Sequence, residues 1–394
     1  MSNLIKFFLS STLWVVVNTF TAGTALQTFL MENSFSEELT NIIGSSGQVI
    51  SIIAMLLFSP VADKIKEVIP VTARTYLLYF PLVILLLIVC LLGNFGWVLT
   101  VLLFLTIGLY SVAGGLQSSL TYKLPYMILD MRHYGRTTAI CGILTGVMGL
   151  LISLVLTWLQ NAWGYTNAMT GLFILCVPLL LATYILIHTM RPLASAPAPA
   201  KKDAVKINYF RFKPFSQLIA ANFLRGFGTG VLTVVVTIGY YCDILDAKSA
   251  SIVLVISNFT TFLGCGLYSV FTGKIPEKWI LLLANIGVAV GASIMLIGSN
   301  TTMFLIGYAF TTTFWTVVNY SIPVATTQIA DYTVMGQYSS GRLLLHTAGS
   351  GLAGFLCIRL IDLIGGLPTM ILTGVCFLVC GISYFVYMKK NNLR

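Results

Sequence analysis

Arg225 stands deep inside an apolar stretch, in the context Asn222-Phe223-Leu224-Arg225-Gly226-Phe227-Gly228-Thr229-Gly230. If that stretch is a helix beginning near residue 214, Arg225 lies about eleven residues, or roughly 16 Å, from its polar end. A guanidinium at that depth is costly and calls for a reason. The flanking sequence offers no carboxylate. Two readings fit. Facing a wet cavity, the planar fork would suit a carboxylate, sulfonate or phosphate. Otherwise the side chain snorkels or binds carbonyls between helices. The three glycines at alternate positions weaken a helix and permit either a break or a close backbone approach.

The other candidates are scattered through similar stretches. Asn18, Gln117, Asn258, Trp315 and Asn319 fall at comparable depth. Amides fix orientation and an aromatic face stacks on the apolar face of a sugar, although Asn and Gln also bridge helices. Lys123 either lines the same path as a second cation or snorkels to the surface. His346 reads as a packed, hydrogen-bonded histidine or as a titrating one. Arg359 and Asp362, three apart, make a local helix pair. Gly142, Gly146 and Gly149 read as close helix packing. The eight cysteines sit in apolar runs without metal-ligand spacing, so no metal and no cofactor is expected. No HExxH, GxSxG, Walker or paired-carboxylate motif is present, which argues against an enzyme and against direct use of ATP.

What must position these residues follows from composition. Of 394 residues, 57% are hydrophobic and 9% charged, against roughly 25% charged in soluble domains. So few charges cannot cover a water-soluble surface; the solvent is lipid, and each span must satisfy its own backbone. The apolar runs are about 20 to 28 residues long, which suits helices rather than barrel strands. Twelve spans are expected, near residues 5–30, 39–61, 74–93, 97–128, 134–159, 165–190, 214–241, 248–272, 278–298, 302–329, 338–364 and 367–388. The first is too long for a cleavable signal. With both termini inside, all but Arg225, Lys248 and Arg359 of the 22 basic residues fall in inner segments, while Glu32, Glu37, Glu38, Asp243 and Asp246 lie outside. That is the positive-inside pattern, and it explains the net charge of +10 without nucleic acid. The Pro/Ala-rich stretch ASAPAPAKKDAVK reads as a semi-extended linker. It divides residues 1–190 and 214–394, six spans each, around a cytoplasmic linker at 191–213. The fold class is therefore an all-α integral membrane protein of twelve transmembrane helices in two six-helix bundles, with cytoplasmic termini.

Two such halves resemble the major facilitator superfamily, whose halves rock about a midplane site. Ser59-Pro60-Val61-Ala62-Asp63-Lys64 is similar to that superfamily's inner-loop signature, with Ser59 where glycine is usual. The resemblance implies that Asp63, beside a helix N-terminus and a basic residue, latches the gate. The matching loop in the second half is Gly273-Lys274-Ile275-Pro276-Glu277-Lys278. Leu124-Pro125-Tyr126-Met127-Ile128-Leu129-Asp130 with Arg136-Thr137, and Ile329-Ala330-Asp331-Tyr332 with Gly341-Arg342, resemble one branch, the glycoside–pentoside–hexuronide cation symporters. They imply gating roles for Lys64, Asp130, Arg136, Asp331 and Arg342. That branch places carboxylates just before a proline in the second span to hold a cation, whereas Ala54 to Ser59 before Pro60 contain none. No midplane carboxylate is seen elsewhere, so coupling to H⁺ or Na⁺ lacks its usual group. The expectation is a monomeric, multi-pass transporter of the cytoplasmic (inner) membrane. It would carry a small hydrophilic organic solute (a sugar, glycoside or sugar acid) by alternating access, with Arg225 as the anchor if the solute is anionic. The alternative is an exporter of amphiphilic drugs or lipid-like compounds.

Overall fold

The computed structural model describes residues 2–21, 26, 29–30, 32–33, 35, 37–93, 96–120, 123–194, 208–209, 211–233, 235, 238–239, 242–245, 247–297 and 300–393. Among them every regular element is helical. The helices are α1 (Asn3–Thr21), α2 (Glu37–Ala62), α3 (Val68–Thr75), α4 (Phe80–Leu92), α5 (Trp97–Leu120), α6 (Lys123–Ile128), α7 (Tyr134–Trp163), α8 (Tyr165–His188), α9 (Lys213–Thr233), α10 (Ala247–Phe271), α11 (Glu277–Ile297), α12 (Thr301–Ile329), α13 (Met335–Ile364) and α14 (Gly366–Lys390). The linker positions 195–207 and Asp246 lie outside the described residues.

Eight helices or continuous helical runs among the described residues are long and apolar enough to cross a membrane: Asn3–Thr21, Val68–Leu92, Trp97–Leu120, Met131–Trp163, Tyr165–His188, Glu277–Ile297, Thr301–Ile329 and Gly366–Lys390. Two more, α2 and α10, are apolar over shorter stretches, Val49–Phe58 and Val255–Phe271. The remaining long helices, α9 and α13, are the more polar ones and carry Arg225, Gln337, Arg342 and His346.

Local chemistry explains where the expected boundaries move. The third run begins at Val68, not near 74, and Arg74 is an exposed residue in the last turn of α3. Between α3 and α4 the chain tightens into a 3-10 turn, Tyr76–Tyr79. Pro81 follows at once; its ring removes the N–H that would bond back to Leu77 and crowds that carbonyl, so the preceding turn winds more tightly. The run expected over 97–128 is described as two helices, α5 and α6. Single glycines make two of the helix corners. Gly164 joins α7 to α8 at φ 78°, ψ 163°, and Gly365 joins α13 to α14 at φ 88°, ψ 159°. Both lie in the region that side chains with a Cβ avoid. Asn300 caps α12 by accepting the Met303 N–H at 2.9 Å.

The chain forms two compact units. The first comprises Met1–Met131 and Val147–Ala204, the second Arg132–Gly146 and Val205–Arg394. In the first, α1 packs on α8 and α2 on α5 around Phe20, Phe29, Leu86 and Phe173. In the second, α9 packs on α13 and α14, and α11 on α12 and α14. Tyr268, Val318, Phe377 and Tyr384 fill one core of this unit, and Phe304, Met295 and Met370 another. Gly142 and Gly146, on the early part of α7 within this unit, press against Cys265, Tyr320 and the Phe262 backbone. That is the close packing their spacing suggests.

Candidate functional site

Arg225 sits twelve residues into α9, roughly 18 Å along its axis, and is 6% exposed. Its Nη2 donates to Asn319 Oδ1 on α12 at 2.6 Å. One turn along both helices, the Trp315 indole N–H donates to Thr229 Oγ1 at 3.3 Å. Arg225 and Thr229 share a face of α9, as Trp315 and Asn319 share a face of α12, so the four side chains form two rungs. Three of them, Arg225, Trp315 and Asn319, were candidates from sequence. Asn258 is half-buried on α10.

The glycines beside Arg225 serve close approach, since α9 is continuous through them. A Cβ at Gly226 would overlap the His346 carbonyl on α13, and one at Gly230 would lie 2.5 Å from the Ser350 carbonyl. From the other side, a Cβ at Gly349 would overlap the Phe223 carbonyl. The two backbones therefore touch, and α13 brings Arg342 and His346 to the same neighbourhood. Arg342 is 1% exposed, and His346 follows it by one turn of α13. Among the described residues the buried His346 Nε2 finds no hydrogen-bond partner. On α14 the Tyr384 hydroxyl donates to Asn222 Oδ1 at 2.8 Å, and Asn222 Nδ2 donates to the Leu218 carbonyl at 2.8 Å.

In the first unit the amide candidates are Gln117 and Asn18. Gln117 on α5 accepts the Tyr79 hydroxyl at 2.8 Å and donates to Thr75 Oγ1 at 3.0 Å. Asn18 on α1 is exposed and accepts the Tyr110 hydroxyl at 2.6 Å. Between them stands a group of rings, with Trp14–Tyr79 centroids 4.4 Å apart, Trp14–Tyr76 5.2 Å and Tyr79–Tyr110 4.6 Å. Trp14 was not among the sequence candidates, although its spacing of four from Asn18 puts it on the same helix face.

Lys123, expected on the solute path, stands at the start of α6 with its Nζ 2.8 Å from Asp63 Oδ1, and both side chains are buried. It also donates to the Ala62 carbonyl at 3.3 Å. The basic partner of Asp63 is thus 60 residues away in sequence; the adjacent Lys64 is exposed. Asp130, Arg136 and Asp331 are exposed, while Arg342 is buried. Glu277, read as a loop acid, is the first residue of α11 and only 4% exposed. It accepts from the Tyr268 hydroxyl at 3.0 Å and from Ser321 Oγ. Its place five residues into the loop that begins at Gly273 matches that of Asp63 after Ser59. Among the described residues no cluster of three metal-ligating side chains occurs.

A family model for the Major Facilitator Superfamily matches residues 7–341. Solved structures share the fold over nearly the whole chain. One is a bacterial homologue of the iron transporter ferroportin in an outward-facing state, with TM-score 0.75, 11% identity and 98% of each chain covered. Another is the E. coli fucose:proton symporter FucP, with TM-score 0.71, 15% identity and 97% of each covered. A third is the human organic anion transporter MFSD10 (TETRAN), with TM-score 0.68, 11% identity and 97% of each covered. No curated protein sequence matches the chain.

Proposed function

Because the chain belongs to the major facilitator superfamily, and is therefore a membrane transporter rather than an enzyme, we propose that it carries a small, hydrophilic, anionic organic solute by alternating access. The observation that carries this reading is Arg225, buried midway along α9 and held by Asn319 at 2.6 Å. A guanidinium fixed in plane by an amide is pre-organised to meet an oxyanion bidentately. A sugar acid or glycoside is the solute class to which the local likeness to the glycoside–pentoside–hexuronide symporters points. The fold shared with a fucose symporter and an organic anion transporter supports it.

In this reading the chain has twelve spans with both termini in the cytoplasm, lies in the cytoplasmic membrane and works as a monomer. Asp63 with Lys123, and Arg342 with the exposed Lys64, Asp130, Arg136 and Asp331 around the inner loops, act in gating. Uphill transport would draw on an H⁺ or Na⁺ gradient.

The test is thermal unfolding of purified protein with hexuronates and with neutral hexoses, repeated on Arg225→Ala. Stabilisation by the anion that vanishes in the variant is the expected result. Equal stabilisation of both proteins by neutral sugars would remove Arg225 from the site. Silence across the panel, with stabilisation by amphiphiles instead, would favour an exporter of lipid-like compounds.

A further inference from the structure

The second unit buries an acid for which the anion reading has no use. Glu277, the first residue of α11, is 4% exposed. Its Oε1 accepts from the Tyr268 hydroxyl on α10 at 3.0 Å and from Ser321 Oγ on α12, and both donors are fully buried. Among the described residues no basic side chain forms an ion pair with it. The first unit treats its buried acid differently, since Asp63 meets Lys123 at 2.8 Å. Lys123 stands two residues before Pro125, and Ser321 two residues before Pro323. Where the first unit supplies a cation, the second supplies a hydroxyl.

The other titratable groups around Glu277 are neutral or turned away. On α10 the group that faces it is the Tyr268 phenol. On α12, Tyr320 precedes Ser321, and the helix holds no Asp, Glu, Lys or Arg. Cys380, Tyr384 and Tyr387 of α14 share a core with Tyr268, while Lys389 and Lys390 are exposed. Lys278, next in the chain, donates its ammonium to the Leu393 carbonyl at 3.0 Å, and Lys274 is exposed. On α7, Tyr134 is buried and Arg136 exposed. Gly135 brings α7 against the same tyrosine: a Cβ there would overlap Thr272 Oγ1 and lie 3.3 Å from the Tyr268 hydroxyl. The hydroxyl that binds Glu277 is thus also a surface on which the first turn of α7 rests.

We infer that Glu277 is a proton-binding site and that its charge sets how firmly Tyr268 supports the first turn of α7. This goes beyond the reading of Arg225 and holds whichever solute is carried. Both hydroxyls go to Oε1, so the proton enters on Oε2. A hydronium ion gives it up and leaves as water, and the carboxylate becomes a neutral acid. Two influences oppose each other here. The N-terminus of α11 and the two hydroxyls favour the anion, while burial without a cation favours the neutral acid, so both forms are within reach. Hydrogen bonds to a carboxylate are roughly twice as strong as those to a neutral acid. Protonation therefore loosens Tyr268 and, through it, the start of α7.

The test uses purified full-length protein and two readouts. Infrared difference spectra should show the C=O band of a protonated carboxyl that grows as the pH falls from about 8 to about 5. The band should be missing in Glu277→Gln and displaced in Tyr268→Phe, which removes one hydrogen bond. Ser321→Lys places beside Glu277 the cation that the first unit has, and should hold it ionised and remove the band as well. The second readout is hydrogen exchange of the peptide 134–142 by mass spectrometry. At about pH 8, exchange should be about fivefold or more faster in Glu277→Gln, whose side chain is always neutral, than in the wild type, and at about pH 5 the two should match. A carboxyl band unchanged by Glu277→Gln would overturn the proton site. Exchange that is faster in Glu277→Gln at both pH values would mean that Glu277 only braces the packing, and equal exchange at both would mean that its charge does not reach α7; either overturns the switch. Should Glu277→Gln not fold, Tyr268→Phe and Ser321→Lys carry the test, and a band unmoved in both would sink the proposal.

Discussion

The buried pair Asp63–Lys123 shows how much of a membrane transporter is decided one side chain at a time. Two charges at 2.8 Å with almost no exposure hold each other in place, and removing one takes a buried counter-charge from the other. Asp63→Asn should therefore cost roughly 3–5 kcal/mol, read as a large fall in the thermal midpoint in detergent. The double variant Asp63→Asn with Lys123→Met should recover most of it, because no lone charge remains. A midpoint unchanged by Asp63→Asn would mean that the pair holds nothing. A second prediction concerns Asn319. Asn319→Ala keeps the Arg225 charge and removes its orienting acceptor. Hydrogen bonds to charged groups contribute about 1.5–3 kcal/mol, so affinity for an anionic solute should drop about tenfold or more in a binding titration, with glucose binding unaltered. At this scale the sequence was only half legible. Arg225, Gln117, Trp315 and Asn319 stand out because a polar group in an apolar run is conspicuous. Their partners do not: Asn319 is 94 residues from Arg225 and Asp63 is 60 from Lys123, and no local pattern encodes a contact across helices. Glu277 is hidden for a related reason: it stands in the loop motif that begins at Gly273, and nothing local tells that it opens α11 as a buried residue.

Helices are the elements here, and glycine sets how near two of them come. Gly226, Gly230 and Gly349 let α9 and α13 touch backbone to backbone, whereas a Cβ at Gly354, also on α13, would meet nothing within 4 Å. The two sites therefore make a matched pair. Gly226→Ala should destabilise by about 1–3 kcal/mol through overpacking, and should weaken anion binding because it shifts the turn of α9 that carries Arg225. Gly354→Ala should be neutral or stabilising by up to about 1 kcal/mol, from helix propensity alone. Equal midpoints for the two variants would show that the helices separate without cost. Helix positions were readable from hydropathy to within a few residues for most spans. The exceptions have physical causes: Pro81 tightens the turn before it, and the polar content of α9 and α13 lowers their hydropathy at the positions where the candidate site needs charge.

On the scale of the whole molecule, the number of spans and the side on which the ends lie can be read by chemical labelling. Hydropathy and length alone mark eight crossings among the described residues, while the distribution of lysine and arginine argues for twelve with both ends on one side. The single-glycine corners at Gly164 and Gly365, with nearly equal backbone angles, give two far ends at which the count can be read. Six of the eight cysteines are buried and Cys90 and Cys242 partly so, which keeps the background low for thiol labelling. Single cysteines at Ser2 and Asn391 should react with an impermeant maleimide only after the cells are opened, and cysteines at Asn161 and Asp362, both exposed beside the glycine corners, should react in intact cells. Ser2 and Asn391 on one side require an even number of crossings. Asn161 on the other side requires an odd number before the α7–α8 corner and, with Asp362 also outside, an even number between the two corners. A label at Asn391 in intact cells would instead mean that an odd number of the four helices outside the eight, α2, α9, α10 and α13, crosses. If α9 is the one that stays out, Arg225 lies outside the bilayer core, and the reason for reading it as an anion anchor goes with it.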